Sequence, residues 1–324
     1  MLIIAGTAPD LDYLSYFGGP AAFLHFHHTL LHSLPGALLL ALITATIFLV
    51  IDRNWLRKSS NFSRLESPSQ RRDTILSPLR FLPALTVCAF GIAAHIALDL
   101  IGEVGVRLSW PLRDIWTAYD LIANFDPWIL LILALGIALP QLVRLVREEI
   151  GERKRGTQGQ GLAIIFLLLL LAYLGARAEL HRRATVLLNS REYHGLPPGA
   201  TSAFPGALLP FQWRGLVSTA STIEETEISL SPGLQFDPDR TLTHYKPQPS
   251  LVLDVAQNTE TAKTFLAYAR FPIATMEPVQ LGYRFTLRDL RFPLHDQSPY
   301  NIVAIVELSP GLTVTSQELR YARR

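Results

Sequence analysis

Apolar residues along this chain gather in four long blocks and then give way to short alternating runs. The blocks, roughly Leu34–Ile51, Phe81–Ile101, Trp128–Val146 and Gly161–Ala178, fill most of the first half of the sequence. Each approaches the ~20 residues a helix needs to cross the hydrocarbon core of a bilayer. The fourth is the purest; the second carries His95 and Asp99. Ionisable groups in a lipid-embedded helix cost at least about 2.5 kcal/mol each, so that pair requires a reason. After the fourth block comes a proline- and glycine-rich stretch, Leu196–Pro210. Beyond it, period-two alternation predicts strands over Trp213–Thr219, Thr226–Ser231, Ser250–Val255, Val279–Leu287, Tyr300–Leu308 and Leu312–Gln317. A helix is expected over Glu260–Arg270, stopped by Pro272. The expected architecture is therefore a membrane α-helical domain of about four spans (1–185), a linker (186–210) and a small extracytoplasmic α+β domain (211–324) with a mainly antiparallel sheet.

Composition sharpens this picture. Only 17% of the 324 residues are charged and mean hydropathy is +0.25, against about 25% charged in ordinary globular chains. The formal net charge of +2, with no basic stripe interleaved with aromatics, excludes a nucleic-acid partner. The single cysteine, Cys88, excludes a disulfide framework or a thiolate zinc site and reads as packing. Basic residues set the orientation. Arg53, Arg57, Lys58, Arg64, Arg71, Arg72 and Arg80 lie between the first two spans, and Arg147, Arg153, Lys154 and Arg155 between the last two. The positive-inside rule puts both loops in the cytoplasm. The N-terminal segment, the loop Gly102–Pro127 and everything after the fourth span then face outward. Met1–Gly6 lacks the features of a secretory signal, and Leu2–Gly6 reads as the tail of a longer apolar segment.

Three clusters carry side chains able to do chemistry. Pro9-Asp10-Leu11-Asp12 spaces two carboxylates by two residues. They point the same way if the chain is extended, and both can reach one cation; the same residues also cap helices and start turns. His25, His27, His28 and His32 stand directly ahead of the first span. On a helix His28 and His32 share a face, with His25 beside them and His27 off it. Neutral imidazole is the commonest nitrogen ligand for zinc and similar metals; an interfacial histidine cluster is the alternative. His95 and Asp99, at i and i+4 of the second span, project to one side about 6 Å apart along the axis. They suit a metal, or a hydrogen bond between two buried polar groups. The expected topology brings all three clusters, and Asp126 ahead of the third span, to one outer face. Imidazoles and carboxylates converging there suit a hard-to-borderline cation; a polar network tying the spans together is the competing reading.

At these residues the chain resembles the bacterial predicted membrane-bound metal-dependent hydrolases, one branch of which is described as LexA-regulated. The resemblance rests on Pro9-Asp10-Leu11-Asp12, on His27-His28-Thr29-Leu30-Leu31-His32-Ser33, and on His95-Ile96-Ala97-Leu98-Asp99 followed by Gly105, Trp110-Pro111 and Asp126-Pro127. It covers about the first 180 residues, and Phe265 through Asp289-Leu290-Arg291 is similar to the tail of the longer members. His28 stands where the family has arginine and Leu31 where it has threonine, and an upstream threonine-histidine is missing, consistent with a missing first helix. If that histidine is a ligand in the family, the residues of this chain supply an incomplete site. By its His-x-x-x-Asp helix alone the chain is also similar to zinc-dependent phospholipase C enzymes.

Residues and resemblance together imply His27, His32, His95 and Asp99 as ligands, with Asp10 and Asp12 ligating or orienting them. His28 is next: helical spacing favours it over His27, and the resemblance favours the reverse. The expected ion is divalent, zinc before manganese. A spare carboxylate, Asp12 or Asp126, would take the proton during hydrolysis. The expected protein is thus an inner-membrane hydrolase in contact with membrane lipid, acting on a lipid-linked ester or phosphodiester. The competing readings are an ion or metal transporter, and a non-catalytic anchor whose C-terminal domain binds a partner outside the cytoplasm. His181, His194, His244 and His295 read as isolated surface residues.

Overall fold

A computed structural model describes residues 1–56, 78–149, 160–231, 241–293 and 298–322. Arg57, Lys58, Arg64, Arg71 and Arg72 of the first basic loop, Arg153, Lys154 and Arg155 of the second, and His295 lie outside the described residues. The chain divides into two compact units, 1–100 with 105–118, and 101–104 with 119–324.

The first unit opens with α1 (Leu2–Thr7), a 3-10 helix (Pro9–Gly18) and α2 (Pro20–Phe26), followed by α3 (Leu34–Ile51) and α4 (Phe81–Ile101). The last two are long and apolar enough to cross a membrane. Serine chemistry starts α3. Ser33 Oγ accepts from the Gly36 amide at 3.2 Å and donates to the Leu30 carbonyl at 2.8 Å, satisfying one of the four orphan amides of a helix start. Gly36 has to be glycine, because a Cβ there would lie 1.8 Å from Leu30 O. Small residues let the helices close on one another. Ala5 and Ala8, Leu40, Ala41 and Ala45 of α3, and Ala84, Cys88, Ile92 and Ile96 of α4 form one buried cluster, the usual means of packing where lipid competes with side chains for contact. Cys88 is part of that packing, as its apolar surroundings suggested.

The second unit holds α5 (Pro127–Glu149) and α6 (Gln160–Asn189), both also able to span. A Cβ on Gly136 would meet the Phe166 side chain at 3.0 Å, so glycine sets the close approach of α5 and α6. The strands form two antiparallel four-stranded sheets. The first runs β1 (Thr201–Pro205), β2 (Gln212–Ser218), β3 (Thr222–Ser229), β4 (Leu242–Tyr245); the second runs β5 (Pro272–Val279), β6 (Gly282–Asp289), β7 (Ile302–Leu308), β8 (Val314–Tyr321). Between them in sequence lie α7 (Leu251–Gln257) and α8 (Glu260–Tyr268). Period-two alternation divides the first sheet into two faces. Ala203, Trp213 and Val217 pack on Ala184 and Leu188 at the end of α6. Phe204 and Leu216, with Ile223, pack on Phe271, Ile273 and Leu290 of the second-sheet region. Four candidate membrane helices followed by an antiparallel α+β domain is the architecture expected from the sequence.

Individual elements depart from expectation. Ser250–Val255, expected as a strand, is the start of α7: Ser250 Oγ accepts from the Leu253 amide at 3.2 Å, and Leu253 and Ala256 are buried at helical spacing. Val279–Leu287, expected as one strand, is split by a hairpin turn between β5 and β6, where Gly282 takes φ 135° against the Leu308 carbonyl. β1 lies inside the proline- and glycine-rich stretch 196–210, and β4 had no clear alternation to announce it. Phe285, buried without exposure in β6, closes the core of the second sheet. Phe285→Ala removes a full ring and costs about 3–5 kcal/mol. The solubilised protein should therefore lose strand signal at a temperature lower by roughly 6–20 °C. Leu281→Ser, at the exposed turn, should leave that temperature unchanged.

Candidate metal centre

The 3-10 helix is the first positioning device. At three residues per turn, side chains two apart diverge by about 120°, so Asp10 and Asp12 do not point the same way as they would on an extended chain. The Asp12 side chain is 6% exposed and that of Asp10 51%. The second device is a run of turns. α2 ends at Phe26, His27 is extended, and His28 takes φ 56°, so the histidine motif is not the first turn of a helix. A left-handed residue other than glycine costs about 1–2 kcal/mol, and three hydrogen bonds hold His28 there. Its amide donates to Asp12 Oδ2 at 3.1 Å, its carbonyl accepts from the Arg107 amide at 3.0 Å, and its Nδ1 lies 2.7 Å from the Gly105 carbonyl. The third device is the end of α4, which presents His95 and Asp99 one turn apart.

Asp12 organises the imidazoles. Its Oδ1 lies 2.6 Å from His27 Nδ1 and its Oδ2 2.9 Å from His32 Nδ1. Burial alone would raise the Asp12 pKa, but the hydrogen bonds from His27 and His32 outweigh it and bring it down to about 2. Burial opposes protonation of His32 too, yet its contacts with Asp12 and Asp99 raise its pKa. His28 behaves oppositely. Burial, then the charges of His27 and His32, push it down to about 3, so its ring is neutral. With Nδ1–H donated to the Gly105 carbonyl, its Nε2 is the nitrogen carrying a lone pair. A ring nitrogen fixed by a carboxylate or carbonyl, leaving the opposite nitrogen to ligate, is the usual outer arrangement of a metal-bound histidine.

Three ligand atoms then form a closed triangle. His32 Nε2 lies 3.4 Å from His95 Nε2 and 3.3 Å from Asp99 Oδ2, and His95 Nε2 lies 3.2 Å from Asp99 Oδ2. Tetrahedral zinc with bonds near 2.05 Å separates its ligand atoms by about 3.3 Å. Asp10 Oδ1 extends the set at 3.4 Å from His95 Nε2. The ligand atom of His28 lies within 4.8 Å of those of His32 and Asp99. Asp99 Oδ2 is buried and accepts no hydrogen bond among the described residues. A buried carboxylate oxygen whose nearest polar neighbours are two imidazole nitrogens at 3.2–3.3 Å is an arrangement that a divalent cation would satisfy. The donor set therefore fits such an ion.

Among the remaining candidates, His27 reaches the cluster through Asp12, and His25 is exposed. Asp126 belongs to the second unit. There its Oδ1 accepts from the amides of Trp128 and Ile129 at the start of α5, and its Oδ2 accepts from the Tyr173 hydroxyl at 2.8 Å. His194 and His244 pair with Glu224 and Glu225. His181 is half-buried against Trp213 rather than on the surface. The orienting role of Gly105 escaped the sequence, although a glycine following His-x-x-x-Asp was its signal. At φ 77° and with a Cβ that would sit 2.3 Å from Thr117 O, it is bound to remain glycine.

The model of one protein family, the YdjM inner membrane protein, matches residues 1–183, a stretch that includes every residue of the triangle. No curated protein and no solved structure matches the chain.

Two variants probe the orienting groups. Asp12→Asn removes the anion that fixes His32 and should weaken metal binding by roughly 10–100-fold, read by competition with a chromogenic chelator. Gly105→Val displaces the carbonyl that holds His28 and should weaken it in the same direction. Unchanged affinity in both would remove this outer layer from the site.

Proposed function

The chain belongs to the YdjM inner membrane protein family, the membrane-bound metal-dependent hydrolases, and from that premise we propose that it hydrolyses an ester or phosphodiester of a lipid-linked substrate. The carrying observation is the His32–His95–Asp99 triangle, whose edges of 3.2–3.4 Å match the donor spacing of one small divalent ion. We assign His32, His95 and Asp99 as its ligands with His28 beside them; zinc suits this mixture of nitrogen and oxygen donors best, and manganese next. When bound, such an ion acidifies water and polarises the scissile group.

The protein's own groups divide the remaining work. Asp12, with both oxygens engaged by His27, His28 and His32, orients the imidazoles. Asp10, more exposed than His95 and 3.4 Å from its Nε2, is the carboxylate we assign to accept a proton from attacking water. His95 and Asp99 sit at the end of a candidate span, so the scissile bond would be met near headgroup depth. The 3-10 helix that carries Asp10 also exposes a row of apolar side chains, Leu11, Leu14 and Phe17. Exposed apolar surface on the element that bears Asp10 supports an amphiphile over a small soluble ester. The interior of α3 and α4 is filled by Leu40, Ala41, Ala45, Ala84, Cys88 and Ile92, which favours a surface site over a transport path. The charge bias of the loops supports placing the site, and the C-terminal domain, outside the cytoplasm.

Purified protein should carry near-stoichiometric zinc or manganese by elemental analysis, and His95→Ala combined with Asp99→Ala should lose it. Asp10→Asn should keep the metal while turnover of phospholipid or lipid-linked phosphodiester substrates falls roughly 10²–10⁴-fold. Metal content unchanged in the double variant would overturn the site. Full activity in Asp10→Asn would overturn the role given to that carboxylate.

A further inference from the structure

The second unit contains an apolar loop that its two spanning helices hold in place. Residues 206–211, Gly-Ala-Leu-Leu-Pro-Phe, join β1 to β2, and no ionisable side chain occurs from Gly195 to Trp213. Leu208 is 73% exposed, Leu209 54% and Phe211 47%. Three large apolar side chains on one loop tip would ordinarily fold inward, because each buried methylene gains ~0.8 kcal/mol. Here the backbone forbids it. Gly206 N bonds Gln212 O at 2.8 Å, Gln212 N bonds Leu209 O at 2.9 Å, and Leu230 N bonds Phe211 O at 2.9 Å.

The loop is also fixed in depth. The indole N–H of Trp128, the second residue of α5, donates to Leu208 O at 3.1 Å. Arg177, at the end of the apolar run of α6, donates from Nη1 to Pro210 O at 2.7 Å and from Nε to Leu121 O at 3.1 Å. α5 starts and α6 ends its apolar run at one membrane surface, since the two helices cross in opposite senses. A segment bonded to both helices at those residues lies at that surface. Trp128, 42% exposed, and Phe125, 68% exposed, are at the same level, and tryptophan is enriched where headgroups meet hydrocarbon.

We propose that the β1–β2 loop is inserted into the bilayer, with Leu208, Leu209 and Phe211 among the acyl chains of the leaflet next to the C-terminal domain. The occupant of this apolar tip is phospholipid. The loop acts as a third membrane contact beside α5 and α6, fixing how the sheet domain stands on the surface. The inference does not depend on the metal centre or on which side of the membrane the domain faces.

The test uses full-length protein in vesicles of phosphatidylcholine and phosphatidylglycerol. Leu208→Cys, Leu209→Cys and Phe211→Cys are labelled singly with an environment-sensitive fluorophore. Leu281→Cys, at the exposed β5–β6 turn, serves as the water-facing reference, and wild type, whose Cys88 is buried, as the blank. The loop probes should emit to the blue of the reference. They should be quenched by lipids bearing a nitroxide near the headgroup end of the acyl chain, and severalfold less than the reference by aqueous iodide. Iodide quenching equal to that at Leu281→Cys, with no response to the nitroxide lipids, would overturn the proposal. So would protection from both quenchers, which would mean that another protein surface covers the loop.

Discussion

A carboxylate offers about four lone-pair directions, and Asp12 spends three of them on one short segment: the Nδ1 atoms of His27 and His32 and the amide of His28. The 3-10 helix and the turn that follows α2 share no ladder of backbone bonds; Asp12 joins them by hydrogen bonds, and the Tyr13 ring packs edge-on against His27. The join fixes more than position. By engaging Nδ1 of His32 it leaves Nε2 to face His95 and Asp99, and by holding the His28 amide it helps impose a backbone conformation that histidine would otherwise avoid. Without that anion, His32 would lose the contact that turns its Nε2 toward the end of α4. The left-handed backbone of His28 and the buried Asp99 Oδ2 held between two imidazole nitrogens at 3.2–3.3 Å are local costs of the kind that cluster at ligand sites.

The spanning helices were legible because bilayer thickness imposes a length and a composition that few other structures satisfy. Their bounds agree with the apolar blocks to within a few residues for α3, α4 and α5; α6 runs on to Asn189. The α6 extension was obscured by Arg177, Arg182 and Arg183, which read as a basic stretch flanking the membrane. Arg182 and Arg183 do lie exposed, paired with Glu179, but Arg177 is fully buried. Periodicity could not separate a short capped helix from a strand at Leu251–Val255, where Leu and Val alternate with smaller or polar neighbours. The decisive signal there was Ser250 as a cap, which acts through one hydrogen bond and leaves no period.

At the site, residue types were more legible than geometry. Asp10, Asp12, His27, His28, His32, His95 and Asp99 all fall in one region of the first unit. The sequence suggested a helical face for the histidines, and the structure supplies turns instead. Turns place side chains by hydrogen bonds to partners remote in sequence, such as Gly105, 77 residues from His28. No local pattern encodes such a partner beyond a glycine whose reason becomes clear only when Thr117 is seen beside it.

Arg177 shows how the same economy of polar groups organises the second unit. A buried guanidinium is tolerated when its donors and its flat face are both used. Here Nε and Nη1 donate to the carbonyls of Leu121 and Pro210, Nη2 makes no hydrogen bond among the described residues, and the face lies 4.6 Å over the Trp213 ring. Lysine could carry the charge but could not meet two carbonyls and an aromatic plane at once. One residue at the end of an apolar helix thereby links the connection ahead of α5, the β1–β2 loop and the core of the first sheet. The boundary between membrane helix and sheet domain is consequently a packed joint, with the end of α6 serving as core to the sheet through Ala184 and Leu188. Gly215 completes the fit, since any Cβ there would fall 2.7 Å from Leu188. A domain seated this closely on its spanning helix keeps the orientation that the membrane gives that helix.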